Sequence, residues 1–176
     1  MRVINNGTEV WHYSSGDVIR SSAAIADDGT IYVGSYDKKL YAFSASSSAP
    51  LGTFDLGATA KFSSPAIDKD GTVFFSANKK LFAINAAPGM TEKWNADCEG
   101  TTQSTPVIGD DAVYICSNSG KLYAFAKNDG KKRWTVEYGK TCTSVPAIGE
   151  DGTIYLCGET ADGGIVMAVN PDGTVK

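Results

Sequence analysis

Long apolar runs are missing from this chain. The longest, such as Ile165 to Val169, reach five residues, whereas a helix needs about 20 to cross a bilayer. No membrane-spanning helix is therefore encoded. The opening residues Met1 to Gly7 turn polar too soon for the apolar centre of a secretory signal. The expectation is either a cytoplasmic protein or one whose leader has been removed. Clustered positive charge is also scarce. The longest basic stretch is Lys131-Lys132-Arg133, and 20 acidic against 16 basic residues give a net charge of −4. This excludes nucleic acid as a partner, because such binding rests on phosphate neutralisation by grouped Lys and Arg. The single histidine, His12, has neither a second histidine nor a cysteine nearby. Four cysteines, at 98, 116, 142 and 157, form no C-x-x-C motif and no adjacent pair, which excludes zinc and thioredoxin-type readings. Walker, Rossmann and G-x-S-x-G fingerprints are absent as well. Neither a catalytic residue, a cofactor nor a metal site is expected.

Repetition is what the sequence does contain. Ser21-Ser22-Ala23-Ala24-Ile25 returns as Ser63-Ser64-Pro65-Ala66-Ile67, Ser104-Thr105-Pro106-Val107-Ile108 and Ser144-Val145-Pro146-Ala147-Ile148, at steps of 42, 41 and 40 residues. Such a period marks a propeller or a solenoid. After each anchor come a turn and a strand: Asp28-Gly29-Thr30-Ile31-Tyr32-Val33, Asp70-Gly71-Thr72-Val73-Phe74-Phe75, Asp110-Asp111-Ala112-Val113-Tyr114-Ile115 and Asp151-Gly152-Thr153-Ile154-Tyr155-Leu156. Asp-Gly between alternating apolar residues is a hairpin signal. It also accounts for the acids of Asp27-Asp28-Gly29 and Asp68-Lys69-Asp70-Gly71 without calcium, since these segments are too short for six ligands. The position after each second strand holds Gly34, Ser76, Cys116 or Cys157, which predicts that Cys116 and Cys157 fill small buried sites. A contact between Cys142 and Cys157 across neighbouring strands stays open. A third strand follows at Leu40-Tyr41-Ala42-Phe43, Leu81-Phe82-Ala83-Ile84, Leu122-Tyr123-Ala124-Phe125 and Val166-Met167-Ala168-Val169. A fourth is marked by an aromatic at Trp11, Phe54, Trp94 or Trp134, with Trp94 and Trp134 expected between blades. Four short strands per repeat, with Gly, Asp and Asn in the turns, make a propeller blade. The fold class is all-β: a β-propeller of four-stranded antiparallel blades with four repeats, near 12–54, 55–94, 95–134 and 135–176. Residues 1–11 read as the tail of a preceding blade.

The set S-S-P-A-I, D-G-T-I-Y-V, L-Y-A-F and a Gly followed by Trp resembles the blades of pyrroloquinoline-quinone-type propellers, over essentially the whole chain. That family includes quinoprotein alcohol dehydrogenases, usually eight-bladed, and a non-enzymatic scaffold lipoprotein of outer-membrane protein assembly. The resemblance implies an extracytoplasmic setting and half of an eight-bladed ring. Its enzymatic members carry adjacent disulfide-bonded cysteines, a tryptophan beneath the quinone, Ca²⁺ ligands and a catalytic Asp. No adjacent cysteines occur here, and the seam position claims all three tryptophans.

Residues just before each innermost strand approach the central channel. There the serines Ser21, Ser63, Ser104 and Ser144 repeat, which fits one structural hydrogen bond per blade, while the residues preceding them differ. Variation is where specificity can reside, so Arg20, Lys61 and Gln103 are the binding candidates. The expected function is a non-enzymatic binding or scaffold module with a protein partner or further blades. Alternatives are a quinoprotein dehydrogenase-like fragment and a carbohydrate-associated surface module, the latter on Tyr36 in a turn. The two ends align in phase at an offset of 166 residues, Met1 with Met167 and Thr8 with Thr174. This suggests either a longer propeller or a homodimer in which residues 1–11 of each chain complete the last blade of the other.

Overall fold

The computed structural model describes residues 1–142 and 144–176. A hairpin of β1 (Arg2–Asn5) and β2 (Thr8–His12) opens the chain. The first blade is β3 (Ala24–Ile25), β4 (Ile31–Gly34), β5 (Lys39–Phe43) and β6 (Pro50–Asp55). The second is β7 (Ala66–Ile67), β8 (Val73–Ala77), β9 (Lys80–Ile84) and β10 (Glu92–Asp97). The third is β11 (Val107–Ile108), β12 (Ala112–Ser117), β13 (Lys121–Ala126) and β14 (Lys132–Glu137). The fourth contributes β15 (Ala147–Ile148), β16 (Ile154–Glu159) and β17 (Gly164–Val169). Each sheet is an antiparallel meander in sequence order, and no helix occurs among the described residues.

Local chemistry sets the first turn of each blade. Asp28, Asp70 and Asp151 accept the amide of the threonine two residues on at 2.9, 2.9 and 3.0 Å. The acids of these turns are thus held by the hairpins themselves. The inner strands are only two residues long, shorter than the repeat anchors suggest; Pro65, Pro106 and Pro146, which offer no amide to a ladder, precede three of them, but the first, after Ala23, is equally short.

Blades stack through alternating faces. Tyr32, Leu40 and Ala42 of the first blade meet Val73, Phe75, Phe82 and Ile84 of the second. The same relation joins the second to the third and the third to the fourth. Each side chain of Leu or Phe size buried this way contributes roughly 1.5–3 kcal/mol. Alanines 42, 83 and 124 are fully buried, and their small size lets the sheets approach. The tryptophans bind the seams from outside. Trp11, Trp94 and Trp134 donate from Nε1 to the carbonyls of Ala45, Lys127 and Pro171, each in the next blade, at 2.9 Å. Trp94 is buried and Trp134 partly buried.

Three features depart from the sequence reading, and the contact between Cys142 and Cys157 that it left open is present. Phe54 is not the counterpart of the tryptophans: Trp94 pairs with Ala83 and Trp134 with Ala124, but Ala42 pairs with Gly52, and Phe54 lies opposite Leu40. Met90 of the second blade fills the space over Gly52 instead, with its Sδ 3.1 Å from where a Cβ would stand. Phe54 packs edge-on to Phe82 at 5.9 Å. Cys157 is exposed while Cys116 is fully buried, because no further sheet among the described residues covers the face on which Cys157 lies. Cys142 does reach Cys157, yet through its carbonyl: the thiol donates to it at 3.1 Å. Finally, Val3 pairs with Trp11 as Ala124 does with Trp134. Strand β1 therefore matches β17 at an offset of 165, and the turn after β1 is one residue shorter than its counterpart.

Candidate binding surface at the channel mouth

Inner strands β3, β7 and β11 stand side by side around the axis. The segments that enter them share one mouth with the turns between second and third strands, joined by Tyr36 N–H to Val18 O and Asn118 N–H to Thr101 O, both 2.9 Å. The opposite mouth carries the first turns of the blades.

The two mouths differ in charge. At the first-turn mouth, acids surround a space of about 870 Å³, but Lys93, Lys127, Arg133 and Lys176 engage Asp70, Asp68, Asp111 and Asp151 at 3.4, 2.8, 2.6 and 2.9 Å. At the other mouth, Arg20, Lys38 and Lys61 form no ion pair among the described residues. Asp37, in the turn beside Lys38, is already bound by the Gly16 amide at 2.9 Å and the Tyr41 hydroxyl at 2.7 Å. Burial pushes its carboxyl up, and these hydrogen bonds outweigh burial and hold it below the ordinary carboxylate value. Unpaired cations at the smaller mouth make it the better binding candidate.

Lys61 and Gln103 line one cleft of about 290 Å³ there, with Lys38, Asn78 and Thr101. Arg20 lies outside that cleft. Its guanidinium stands 5.6 Å from the Tyr36 ring and 5.5 Å from the Phe62 ring, so the three candidates meet through Phe62, the chain neighbour of Lys61.

Phe62 is the residue that the sequence reading missed. It is 51% exposed and sits in the left-handed region at φ 59°, which is rare for a bulky side chain. The repeat explains the strain. The buried position before each serine falls on Ala60, Thr102 and Cys142, two residues before Ser104 and Ser144 but three before Ser63. The second blade therefore carries one extra residue, and the left-handed turn at Phe62 absorbs it. The cost is visible at the serines. Ser21 Oγ accepts the Gly34 amide at 2.9 Å, Ser104 Oγ the Cys116 amide at 3.3 Å, and Ser144 Oγ donates to Cys157 O at 2.8 Å. Ser63 Oγ is buried with no hydrogen-bond partner among the described residues. A strained backbone that also sacrifices a structural hydrogen bond in order to expose an aromatic ring points to a site. Comparison of anchor spacings, 42 residues against 41 and 40, was the available signal for the insertion.

The profile described as outer membrane protein assembly factor BamB matches residues 2–89 and 50–176. The chain belongs to this family. BamB of Shewanella oneidensis is 30% identical over 97 residues, which cover 53% of this chain and 24% of that protein. The crystal structure of BamB from Moraxella catarrhalis superposes with a TM-score of 0.72 at 15% identity, over 89% of this chain and 47% of that one. The quinohemoprotein alcohol dehydrogenase of Comamonas testosteroni gives a TM-score of 0.78 at 18% identity, over 95% and 36%. At these identities the structural likenesses establish the propeller fold alone. The chain spans about a quarter of its BamB relative in sequence and under half of the two structures.

Proposed function

We propose that this BamB-family chain is a non-enzymatic scaffold module, extracytoplasmic like its relatives, whose cationic mouth docks an acidic segment of a partner protein. The observation that carries the reading is the Phe62 platform. An exposed aromatic held at backbone cost beside unpaired Arg20 and Lys61 supplies an apolar anchor and two positive charges. Aromatic and Arg side chains of this kind dominate protein interfaces, and Gln103 adds a neutral hydrogen-bonding edge to the same cleft. The partner segment fits by charge complementarity: Asp or Glu for Arg20 and Lys61, with one apolar side chain against Phe62.

A fluorescein-labelled Asp-Glu-Phe-Glu-Asp peptide tests this by anisotropy. Saturable binding is expected, weakened by salt and lost in Arg20→Glu and Lys61→Glu. The same peptide with lysines replacing its acids should not bind. A folded protein that ignores the acidic peptide overturns the docking reading. A spectral change on titration with pyrroloquinoline quinone and Ca²⁺ would favour the dehydrogenase-like alternative.

The blades themselves support a larger ring. Tyr155, Cys157 and Val166 occupy the phase that Tyr32, Gly34 and Tyr41's neighbour Leu40 hold in the first blade, where the second blade covers them. Val166 is 75% exposed. This face fits a further blade of the same repeat. Exchange of residues 1–11 between two chains fits less well, since β1 and β17 both occupy the third-strand position. The purified chain is expected to self-associate with rising concentration in sedimentation, and Val166→Lys to suppress it. A dilution-stable monomer of 18.5 kDa would count against an open face of this kind.

A further inference from the structure

Tyr36 and Phe62 both break the repeat, and they do so at the same mouth. Counting from the shared position of Gly34, Ser76, Cys116 and Cys157, the residue two further on is Tyr36 in the first blade but Asn78, Asn118 and Glu159 in the others. The residue before the repeated serine is Phe62 in the second blade but Arg20 and Gln103 in the first and third. A ring needed to build a blade would recur from blade to blade. These two do not, and what they share is Arg20. Its guanidinium carbon lies over both rings, 5.6 Å from the centroid of Tyr36 and 5.5 Å from that of Phe62.

Backbone bonds fix the three residues relative to one another. Tyr36 N–H donates at 2.9 Å to the carbonyl of Val18, two residues before Arg20. Ser22 N–H donates to Ser64 Oγ at 2.8 Å, which ties the residue two after Arg20 to the residue two after Phe62. Ser63 N–H closes a tight turn around Phe62 onto the Lys61 carbonyl at 2.7 Å. One ring thus belongs to a turn of the first blade and the other to the entry of the second, with Arg20 between them in the assembly.

We propose that Tyr36 and Phe62 clamp Arg20 as a preorganised carboxylate receptor, with Tyr36 a positioning residue of the docking site and Arg20 its specificity determinant. This rests on the docking of an acidic segment proposed above. An exposed side chain ordinarily loses rotamer freedom when it binds. Two rings that already restrain the guanidinium reduce that loss, and stacking on aromatic faces leaves its N–H edge open. No acid among the described residues forms an ion pair with it. A partner carboxylate meeting that edge makes two parallel N–H···O bonds, which an ammonium on a flexible stem does not reproduce. Lys61, beside Phe62 in the chain, adds a point charge. The two cations therefore divide the work: Arg20 reads the planar carboxylate, and Lys61 adds attraction without that geometry.

Anisotropy of the labelled Asp-Glu-Phe-Glu-Asp peptide with the full chain tests the clamp, with thermal melts as the folding control. Arg20→Lys keeps the charge but loses the fork, and should weaken binding about tenfold. Tyr36→Leu keeps every charge and should weaken binding about fivefold through loss of the ring beneath the cation, with the salt dependence unchanged. Tyr36→Phe, which restores the ring, should restore the affinity. Because Arg20→Lys alters only an exposed side chain, it decides the matter even if Tyr36→Leu destabilises its turn. A wild-type chain that ignores the peptide would overturn the docking reading and the clamp with it. Saturable wild-type binding that Arg20→Lys matches would overturn the clamp alone, as would a folded Tyr36→Leu of full affinity or equal losses in Tyr36→Phe and Tyr36→Leu.

Discussion

The Trp94 indole donates to the Lys127 carbonyl at 2.9 Å and lies flat against Gly130, one blade further round. A Cβ at Gly130 would come within 2.5 Å of Trp94 Cε3, so the ring and the missing side chain are a matched pair. Trp94→Ala removes a buried indole and leaves its cavity, at about 3–5 kcal/mol. Gly130→Ala should destabilise as well, because the new methyl also has to adopt φ 70°. Trp134→Ala should cost less, since that indole is only partly buried. Urea unfolding followed by circular dichroism ranks the three, and an unaffected Trp94→Ala would refute the docking role.

Seam positions should be exchangeable only in pairs. A Cβ on Gly34 would lie 2.3 Å from Phe75 Cζ, yet the same phase holds Ser76 and Cys116 in later blades. The compensating position is that of Phe75, which is Ile115 in the third blade. Gly34→Ser alone should cost about 1–3 kcal/mol through overpacking. Adding Phe75→Ile should recover most of that loss, a coupling that a double-mutant cycle measures directly. Additive effects would show that the two residues do not share this space.

Blade period and strand order were legible because turn chemistry is local: Asp28-Gly29-Thr30 writes its own hairpin wherever it stands. Burial across a seam was not, since it belongs to two blades at once. Cys116 and Cys157 look alike in sequence and differ only in whether a neighbouring sheet covers them. Phe54 misled for a related reason, because Met90 of the next blade takes over the place of a tryptophan. Of the site, the sequence offered Arg20, Lys61 and Gln103 only as variable residues before the repeated serines; that Lys61 and Gln103 line one cleft is seen in the structure. The platform joining Arg20 to them depends on an inserted residue that no strand pattern records.

Asp37 should contribute to the acid limb of stability. Its carboxyl is held below the ordinary value although burial opposes this, because the Tyr41 hydroxyl and the amides of Gly16 and Lys39 bond the charged form. A group with a lowered folded-state value contributes stability that is fully present above its unfolded value, near pH 4, and is lost as pH falls through the lower folded value. Melting temperatures between pH 2 and 5 should therefore fall less steeply in Asp37→Asn than in wild type. Parallel curves would show that Asp37 does not titrate with unfolding.

Phe62 offers the sharpest separation of stability from function. Alanine is ordinarily better tolerated than glycine, because glycine frees the unfolded chain by roughly 0.5–1 kcal/mol. At φ 59° the order should reverse, since a Cβ in the left-handed region costs roughly 1–2 kcal/mol that glycine escapes. Phe62→Gly is thus expected to be more stable than Phe62→Ala by about 1 kcal/mol, and close to wild type despite losing its contact with Arg20. Both variants should lose affinity for the acidic peptide, because the ring rather than the backbone supplies the anchor. Strain retained only for packing would give a different pattern: Phe62→Gly would fall well below wild type in stability while peptide binding survived in both.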